Sequence, residues 1–91
     1  MTDIQRWREE IDLVDDQLLD LFNRRAHFAI EIGLLKRRLG LPIEVPEREA
    51  GVVARMEARN EGPLDSDAIR RLFEGVIAES RAAERAMLER R

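Results

Sequence analysis

Two basic residues interrupt or extend an apolar seam in the first part of the chain. Apolar residues recur there at alternating spacings of three and four, and Arg25 takes the seam position between Leu21 and Phe28. Lys36 follows eleven residues later, so on a helix it projects from almost the same face, about 16 Å along the axis. A buried guanidinium is costly without a partner, so this pair predicts an anionic ligand, an interfacial salt bridge or a polar layer that sets the helix register.

Further polar residues break the apolar stripe near the end of the chain. Ser80 occupies a stripe position, and Glu84 follows one helical turn later. Each has an ordinary explanation, because a helical serine often bonds a carbonyl of the preceding turn. The glutamate could likewise pair with Arg81 or Arg85 outside the core.

Three more charged residues are candidates by position. Arg48 and Glu49 stand in the first turn of the second helical pattern, where an exposed acid is ordinary. Arg8 precedes Arg25 by seventeen residues, which places it about 25 Å away and roughly 100° round the helix. The two arginines cannot meet at one small ligand within one chain. In a dimer with antiparallel long helices, Arg8 could reach the other subunit's site.

The positions of Pro, Gly and capping residues divide the chain into helices. The apolar pattern is uninterrupted from Asp3 to Leu39, and Gly40 and Pro42 then end it. Pro46 suits a first helical residue, and Asp65 suits an N-cap. Since no strand pattern occurs, we predict an all-α fold of three helices, long, short and long. The expected helices cover about 3–39, 46–60 and 65–90 of a single domain, 1–91.

The first predicted helix is too long for the rest of the chain to cover. Its 37 residues span roughly 55 Å, whereas a compact domain of this length is roughly 30 Å across. A monomer of this size would also bury only about 60–65% of its unfolded surface. We therefore expect a second copy of the chain to cover the seam in a homodimer.

Composition excludes several classes of function. The chain has no Cys and one His, which argues against disulfides, zinc fingers and thiol nucleophiles, and no metal or cofactor is expected. Sixteen Lys and Arg against nineteen Asp and Glu give a net charge of −3, a poor match for nucleic acid. Neither a long apolar run nor a signal-peptide pattern is present, so we expect a cytoplasmic protein that does not bind membranes.

Short motifs occur in a fixed order along essentially the whole chain. They are W-R-E-E-I and D-D-Q-L-L near the start, R-R and I-G-L-L-K in the long helix, P-I and P-E-R-E around the second helix, and L-F, E-S and Glu84 in the third. This ordered set resembles the all-α (type II) chorismate mutases. The resemblance implies an intertwined homodimer of three-helix subunits, in which each active site takes one arginine from the partner subunit.

The resemblance also implies the reaction. Chorismate mutases rearrange chorismate to prephenate in Phe and Tyr biosynthesis, by a pericyclic step without cofactor, metal or covalent intermediate. Such a protein must fold a dicarboxylate into a reactive shape and stabilise negative charge that develops on the breaking ether oxygen. Cations and hydrogen-bond donors are sufficient for both tasks.

By position, four residues of this chain match the family's contacts with the substrate carboxylates and ether oxygen. Arg25 is expected to clamp one carboxylate, assisted by Ser80. Arg8 of the partner subunit would hold the other carboxylate. Lys36 would donate to that second carboxylate and to the ether oxygen.

The remaining matched positions include two departures from the family pattern. Glu49 is expected to accept a hydrogen bond from the ring hydroxyl, with Arg48 orienting it. Glu84 faces the ether oxygen where the best-known bacterial pattern has Gln, so it must be protonated to help. Val45 replaces the usual Asp near the hydroxyl-binding end, which leaves only a backbone contact there.

Two other classes of function stay open at this point. Relatives within the fold act on amino-deoxychorismate or eliminate pyruvate from isochorismate, and Val45 lies near the ring position that discriminates these substrates. A non-enzymatic helical dimerisation module is the other possibility, with Arg25 and Lys36 in an interfacial ion-pair network. The module predicts that Arg25→Leu is tolerated, whereas the mutase predicts a folded but inactive variant.

Overall fold

Three helices form the protein in the computed structural model, which describes residues 2–90. They are α1 (Asp3–Leu39), α2 (Pro46–Arg59) and α3 (Ser66–Glu89). The all-α prediction of long, short and long helices is confirmed. The ends of α2 and α3 lie within one residue of the expected limits.

Local hydrogen bonds explain both ends of α1. Thr2 caps the first turn: its side chain accepts from the Gln5 N–H at 3.2 Å, and the Gln5 side chain accepts from the Thr2 N–H at 3.1 Å. At the other end Gly40 adopts a left-handed conformation with φ of 71°, and the Leu41 N–H donates to the Lys36 carbonyl at 2.8 Å. These bonds stop α1 just before the connector to α2.

The first turns of α2 and α3 are stabilised by different capping interactions. Pro46 opens α2, and the carbonyl of Val45 accepts from the N–H groups of Arg48 at 3.0 Å and Glu49 at 3.2 Å. Asp65 caps α3 by accepting from the Ala68 N–H at 2.8 Å. The first turn of α2, with Arg48 and Glu49, is thereby fixed at the end of the connector.

The helices lie in one layer. α3 packs against both α1 and α2, and the described chain measures 56 × 28 × 14 Å. Its smallest dimension is close to the diameter of a single helix with its side chains. Few residues are therefore buried: Gly33 on α1, Val52 on α2, and Ile77 and Ser80 on α3.

The apolar seam of α1 remains open along its whole length. Ten seam residues are each between 41% and 67% exposed, namely Ile4, Trp7, Ile11, Val14, Leu18, Leu21, Phe28, Ile32, Leu35 and Leu39. A helix normally buries such a stripe against another layer. Within residues 2–90, none of the three helices is both long and apolar enough to cross a membrane.

Candidate active site

A small pocket, with a volume of about 120 Å³, lies where side chains of all three helices meet. Five of the residues that the sequence singles out line it: Arg25 of α1, Arg48 and Glu49 of α2, and Ser80 and Glu84 of α3. The remaining lining residues are Ala29, Val52, Ile77 and Arg81. Residues that are far apart in the sequence are thus brought to one cavity with both polar and apolar lining residues.

Arg25 and Ser80 are joined across α1 and α3. The Arg25 Nη1 donates to the Ser80 Oγ at 2.9 Å, and Ser80 is only 5% exposed. The Ser80 hydroxyl thus forms a hydrogen bond between two helices, whereas a helical serine often bonds a backbone carbonyl of its own helix. Because a hydroxyl can accept and donate together, Ser80 keeps its proton for a ligand, and the other guanidinium N–H groups stay available.

Glu49 is held by Arg81, a residue to which the sequence pattern assigns no site role. The Arg81 Nε donates to the Glu49 Oε2 at 3.2 Å, and the Arg81 Nη2 donates to the Glu49 Oε1. In the structure Arg81 supplies these hydrogen bonds to Glu49, and the orienting role of Arg48 stays a prediction. These bonds, with the charges of Arg81 and Arg25, lower the pKa of Glu49 against the opposing effect of burial.

Two sequence signals could have indicated Arg81. It lies four residues after the apolar Ile77, so on a helix the two side chains project from the same face. Its adjacency to Ser80 gives a second hint. Neither signal indicates Glu49 as the partner, because that depends on how α2 packs against α3.

Glu84 lies directly on the backbone of α1 at Gly33. A Cβ atom on Gly33 would come within 2.8 Å of the Glu84 Cγ and 2.9 Å of its Cδ and Oε2. Burial is the main cause that raises the pKa of Glu84; Glu44 and Glu49 add to the rise, and Lys36 and Arg81 oppose it. Gly33 is the only glycine in α1, and this close approach gives it a role that its place in the I-G-L-L-K motif does not reveal.

Three predicted residues lie outside the cavity wall. The Lys36 Nζ donates to the Ile43 carbonyl of the connector at 3.2 Å, and its charge acts on Glu84. Val45 contributes its backbone carbonyl to the start of α2, as described above. Arg8 is exposed near the start of α1, away from the residues that line the pocket.

The balance of charge at the site favours an anion. Arg25, Arg48 and Arg81 line the pocket with Glu49 and Glu84, and Lys36 adds a fourth cation beside it. Preorganised cations of this kind bind carboxylates and stabilise developing negative charge. Among residues 2–90, no group of three or more His, Cys, Asp or Glu side chains is placed to hold a metal ion.

Comparison with known proteins identifies the class to which this fold and site belong. The family model for chorismate mutase type II matches residues 7–85. The chain therefore belongs to the chorismate mutase type II family, and the resemblance seen in the motifs is confirmed.

Individual relatives agree with the family match. The chain is 44% identical over 79 residues to the T-protein of Enterobacter agglomerans. This match covers 85% of this chain and 21% of that protein. It is similar to a chorismate mutase structure (Form II) from Thermus thermophilus, with a TM-score of 0.89, 37% identity, and coverage of 92% of this chain and 96% of that one. A Helicobacter pylori chorismate mutase, solved in complex with prephenate, gives a TM-score of 0.85, 29% identity, and coverage of 94% and 93%.

The chain is much shorter than several of its relatives. It spans about a fifth of the length of the T-protein and of a bifunctional chorismate mutase/prephenate dehydratase from Neisseria gonorrhoeae. The similarity therefore concerns the chorismate mutase family region and no other part of those proteins.

Proposed function

We propose that this chain is a chorismate mutase, which rearranges chorismate to prephenate. The observation that carries the proposal is the convergence of Arg25, Arg48, Glu49, Ser80 and Glu84 on one pocket in a member of this family. During the reaction the ether C–O bond of the substrate breaks while a new C–C bond forms, and no atom leaves. The protein contributes orientation and electrostatic stabilisation.

Arg25 and Ser80 form the first carboxylate site in this proposal. Their 2.9 Å hydrogen bond already fixes the guanidinium before a ligand arrives, which reduces the entropy lost on binding. The planar guanidinium then binds a carboxylate through two parallel N–H groups, with the Ser80 hydroxyl as an additional donor. This arrangement anchors one end of the substrate.

Lys36 stabilises the charge that develops on the ether oxygen. In the structure its ammonium donates to the Ile43 carbonyl, and an ammonium has three donors. Two donors therefore remain for the second carboxylate and the ether oxygen. The bond to Ile43 holds the long side chain beside Glu84 and restricts its rotamers.

Glu84 acts in its protonated form. A neutral carboxyl donates a hydrogen bond to the ether oxygen, whereas a carboxylate would repel the negative charge that develops there. The raised pKa of Glu84, caused chiefly by burial, supports this assignment. At the opposite end, Glu49 accepts from the ring hydroxyl, and Arg48 adds positive potential.

Arg8 completes the site from a second copy of the chain. The exposed seam of α1 and the one-layer shape support a homodimer in which another chain covers the seam. Arg8 lies among these exposed residues, so an antiparallel partner would carry it toward the other subunit's pocket. We assign it the carboxylate that Arg25 does not bind.

An assay of chorismate consumption by Arg25→Leu tests this proposal against a purely structural role. Arg25 is only half-buried and its hydrogen-bond partner is the neutral Ser80 hydroxyl, so its replacement by leucine leaves no buried partner charge unpaired. We expect a folded variant whose kcat/KM falls at least about 100-fold, as expected when a charged hydrogen-bond partner of the substrate is lost.

The matched control is Arg38→Leu, since Arg38 is exposed at the end of α1 and does not line the pocket. It should keep the activity of the unmodified protein. Full activity of a folded Arg25→Leu variant would contradict the proposal.

A further inference from the structure

We propose that Arg81 is a positioning and specificity residue, which makes the site prefer a substrate with a ring hydroxyl over one with a ring ammonium group. This inference rests on the proposed mutase function. It concerns the pair Arg81–Glu49, which bridges α3 and α2 at the wall of the pocket. The competing substrate is the amino analogue of chorismate, in which an amine replaces the ring hydroxyl.

Arg81 and Glu49 form a bidentate ion pair. Two guanidinium nitrogens of Arg81, Nε and Nη2, each donate to a different oxygen of Glu49. Both side chains are only about a third exposed, at 33% and 29%. Two parallel bonds fix the plane of the carboxylate as well as its position, which a single bond cannot do.

The paired carboxylate suits a hydroxyl better than an ammonium. Each oxygen of Glu49 has a second lone pair that can accept from a neutral O–H group. Its negative charge, however, is compensated by the adjacent guanidinium. An alkyl amine is protonated at neutral pH, and the resulting ammonium group is attracted most strongly by a carboxylate with no other cation beside it. Because Arg81 already compensates the charge of Glu49, most of this attraction is lost at the site.

The other charges around Glu49 strengthen this preference. Val45 brings no carboxylate to this end of the site, so Glu49 is left to receive the ring substituent. The charged groups that face Glu49 are Arg25 from α1, Arg48 beside it on α2, Arg81 and Glu84 from α3, and Glu44 of the connector through its contact with Arg81 at 3.9 Å. Three cations and two acids surround Glu49, so their net positive charge balances the Glu49 carboxylate and leaves little attraction for a further positive charge on the ligand.

The experiment measures kcat/KM for chorismate and for 4-amino-4-deoxychorismate with the unmodified protein, Arg81→Leu and Arg81→Lys. We expect Arg81→Leu to shift the ratio toward the amino substrate by up to about fivefold, the effect of removing one compensating charge from a partly exposed pair. Arg81→Lys keeps the charge without the two parallel bonds, so its ratio should stay close to that of the unmodified protein.

Arg85→Leu is the matched control. Arg85 lies one turn further along α3, contacts Glu44 at 3.4 Å and does not line the pocket. Its removal takes away one positive charge from the same helix without touching Glu49. The substrate ratio should be unchanged in this variant.

A pH profile separates this role from a structural one. Without Arg81 the pKa of Glu49 returns toward its ordinary value, so the carboxylate takes up a proton at a higher pH than before. The acidic limb of kcat/KM for chorismate should therefore move to higher pH in Arg81→Leu and stay in place in Arg85→Leu. Circular dichroism checks that each variant is folded.

The possible failures can be distinguished. If the unmodified protein does not convert chorismate, the proposed function itself is wrong. If it converts chorismate but Arg81→Leu loses activity equally with both substrates, Arg81 has only a structural role and the inference is overturned. The inference is also overturned if Arg81→Leu is unfolded and Arg81→Lys shows the change in substrate ratio that was expected for Arg81→Leu. Lysine keeps the positive charge, so charge compensation would then not be the cause of the preference.

Discussion

Glu84 is the residue whose protonation state links the structure most directly to a measurable rate. Its carboxyl lies against Gly33, and burial raises its pKa despite the nearby charges of Lys36 and Arg81. A raised pKa keeps the carboxyl neutral to a higher pH than usual. The proton is lost as the pH rises through that value, so the donor that we propose for the ether oxygen disappears in the same interval.

The resulting prediction concerns the pH dependence of kcat. We expect the activity of the unmodified protein to fall as pH increases above the ordinary range for a glutamate. Glu84→Gln supplies an amide donor at every pH, so its profile should be flatter. Steady-state rates across a pH series check both statements.

Glu89→Gln is the control for this substitution, because Glu89 is exposed at the end of α3. It should reproduce the profile of the unmodified protein. A rate of the unmodified protein that does not change with pH would contradict the assignment of Glu84.

The sequence indicates some site residues far better than others. Arg25 and Ser80 break an apolar stripe, and such breaks are visible without any knowledge of packing. Arg81 stands in a stretch rich in charged residues, and its pairing with Glu49 spans 32 positions of the chain. That contact depends on the approach of α2 to α3, which no local pattern encodes.

At the level of the helices, Gly33 leaves the space beside α1 that the Glu84 side chain of α3 occupies. A methyl group at this position would lie within 2.8 Å of the Glu84 side chain, too close for any ordinary contact. An alanine in a helix is otherwise favoured over glycine by up to ~1 kcal/mol. In a Gly33→Ala variant the higher helix propensity therefore stabilises the fold, whereas the clash with Glu84 destabilises it.

We predict that Gly33→Ala displaces the Glu84 carboxyl and lowers kcat about tenfold or more, which corresponds to the loss of one hydrogen bond in the transition state. It should also change the pH profile, since a displaced carboxyl is less buried and its pKa moves down. Kinetics across pH and thermal unfolding are the two measurements.

Gly51→Ala provides the matched comparison on α2, where an added Cβ meets no atom within 4 Å. This variant should keep full activity and gain up to ~1 kcal/mol in the free energy of unfolding. If Gly33→Ala behaves in the same way as Gly51→Ala, Gly33 does not position Glu84.

The helix limits themselves follow from short local signals. Gly40 ends α1 and Asp65 caps α3, each through a hydrogen bond to a residue a few positions away, and Pro46 stands at the first position of α2. These helix-end signals can be recognised in the sequence because the residues that interact are close together in the chain. The order in which the helices pack, with α3 against both others, requires the folded structure.

For the whole molecule, the dominant feature is a long helix whose apolar seam has no cover. The described chain is 56 Å long but only 14 Å thick, and its radius of gyration is 16.5 Å, against about 12 Å expected for a compact domain of this length. Ile11 and Leu18 are 57% and 41% exposed. A second copy of the chain would bury this seam and bring a second Arg8 into range.

The prediction at this scale is complementation between two inactive variants. Arg8→Ala and Lys36→Ala damage different parts of the site, and in the proposed dimer those parts come from different subunits. After subunit exchange each heterodimer should contain one intact site, so an equal mixture should recover about a quarter of the full activity.

Exchange is verified first by mass spectrometry of the mixed dimers. A mixture of Arg25→Leu and Lys36→Ala is the control, because both residues serve the same subunit's pocket and no recovery is expected. Absence of recovery in the Arg8 mixture after verified exchange would argue against a partner arginine.

The proposed mutase activity is tested most directly by identification of the product. Purified protein is incubated with chorismate, and the products are identified by NMR spectroscopy against a sample without protein. We predict prephenate as the only product, formed faster than in the control. Release of pyruvate with an aromatic acid, or chorismate consumed no faster than without protein, would contradict the proposed activity.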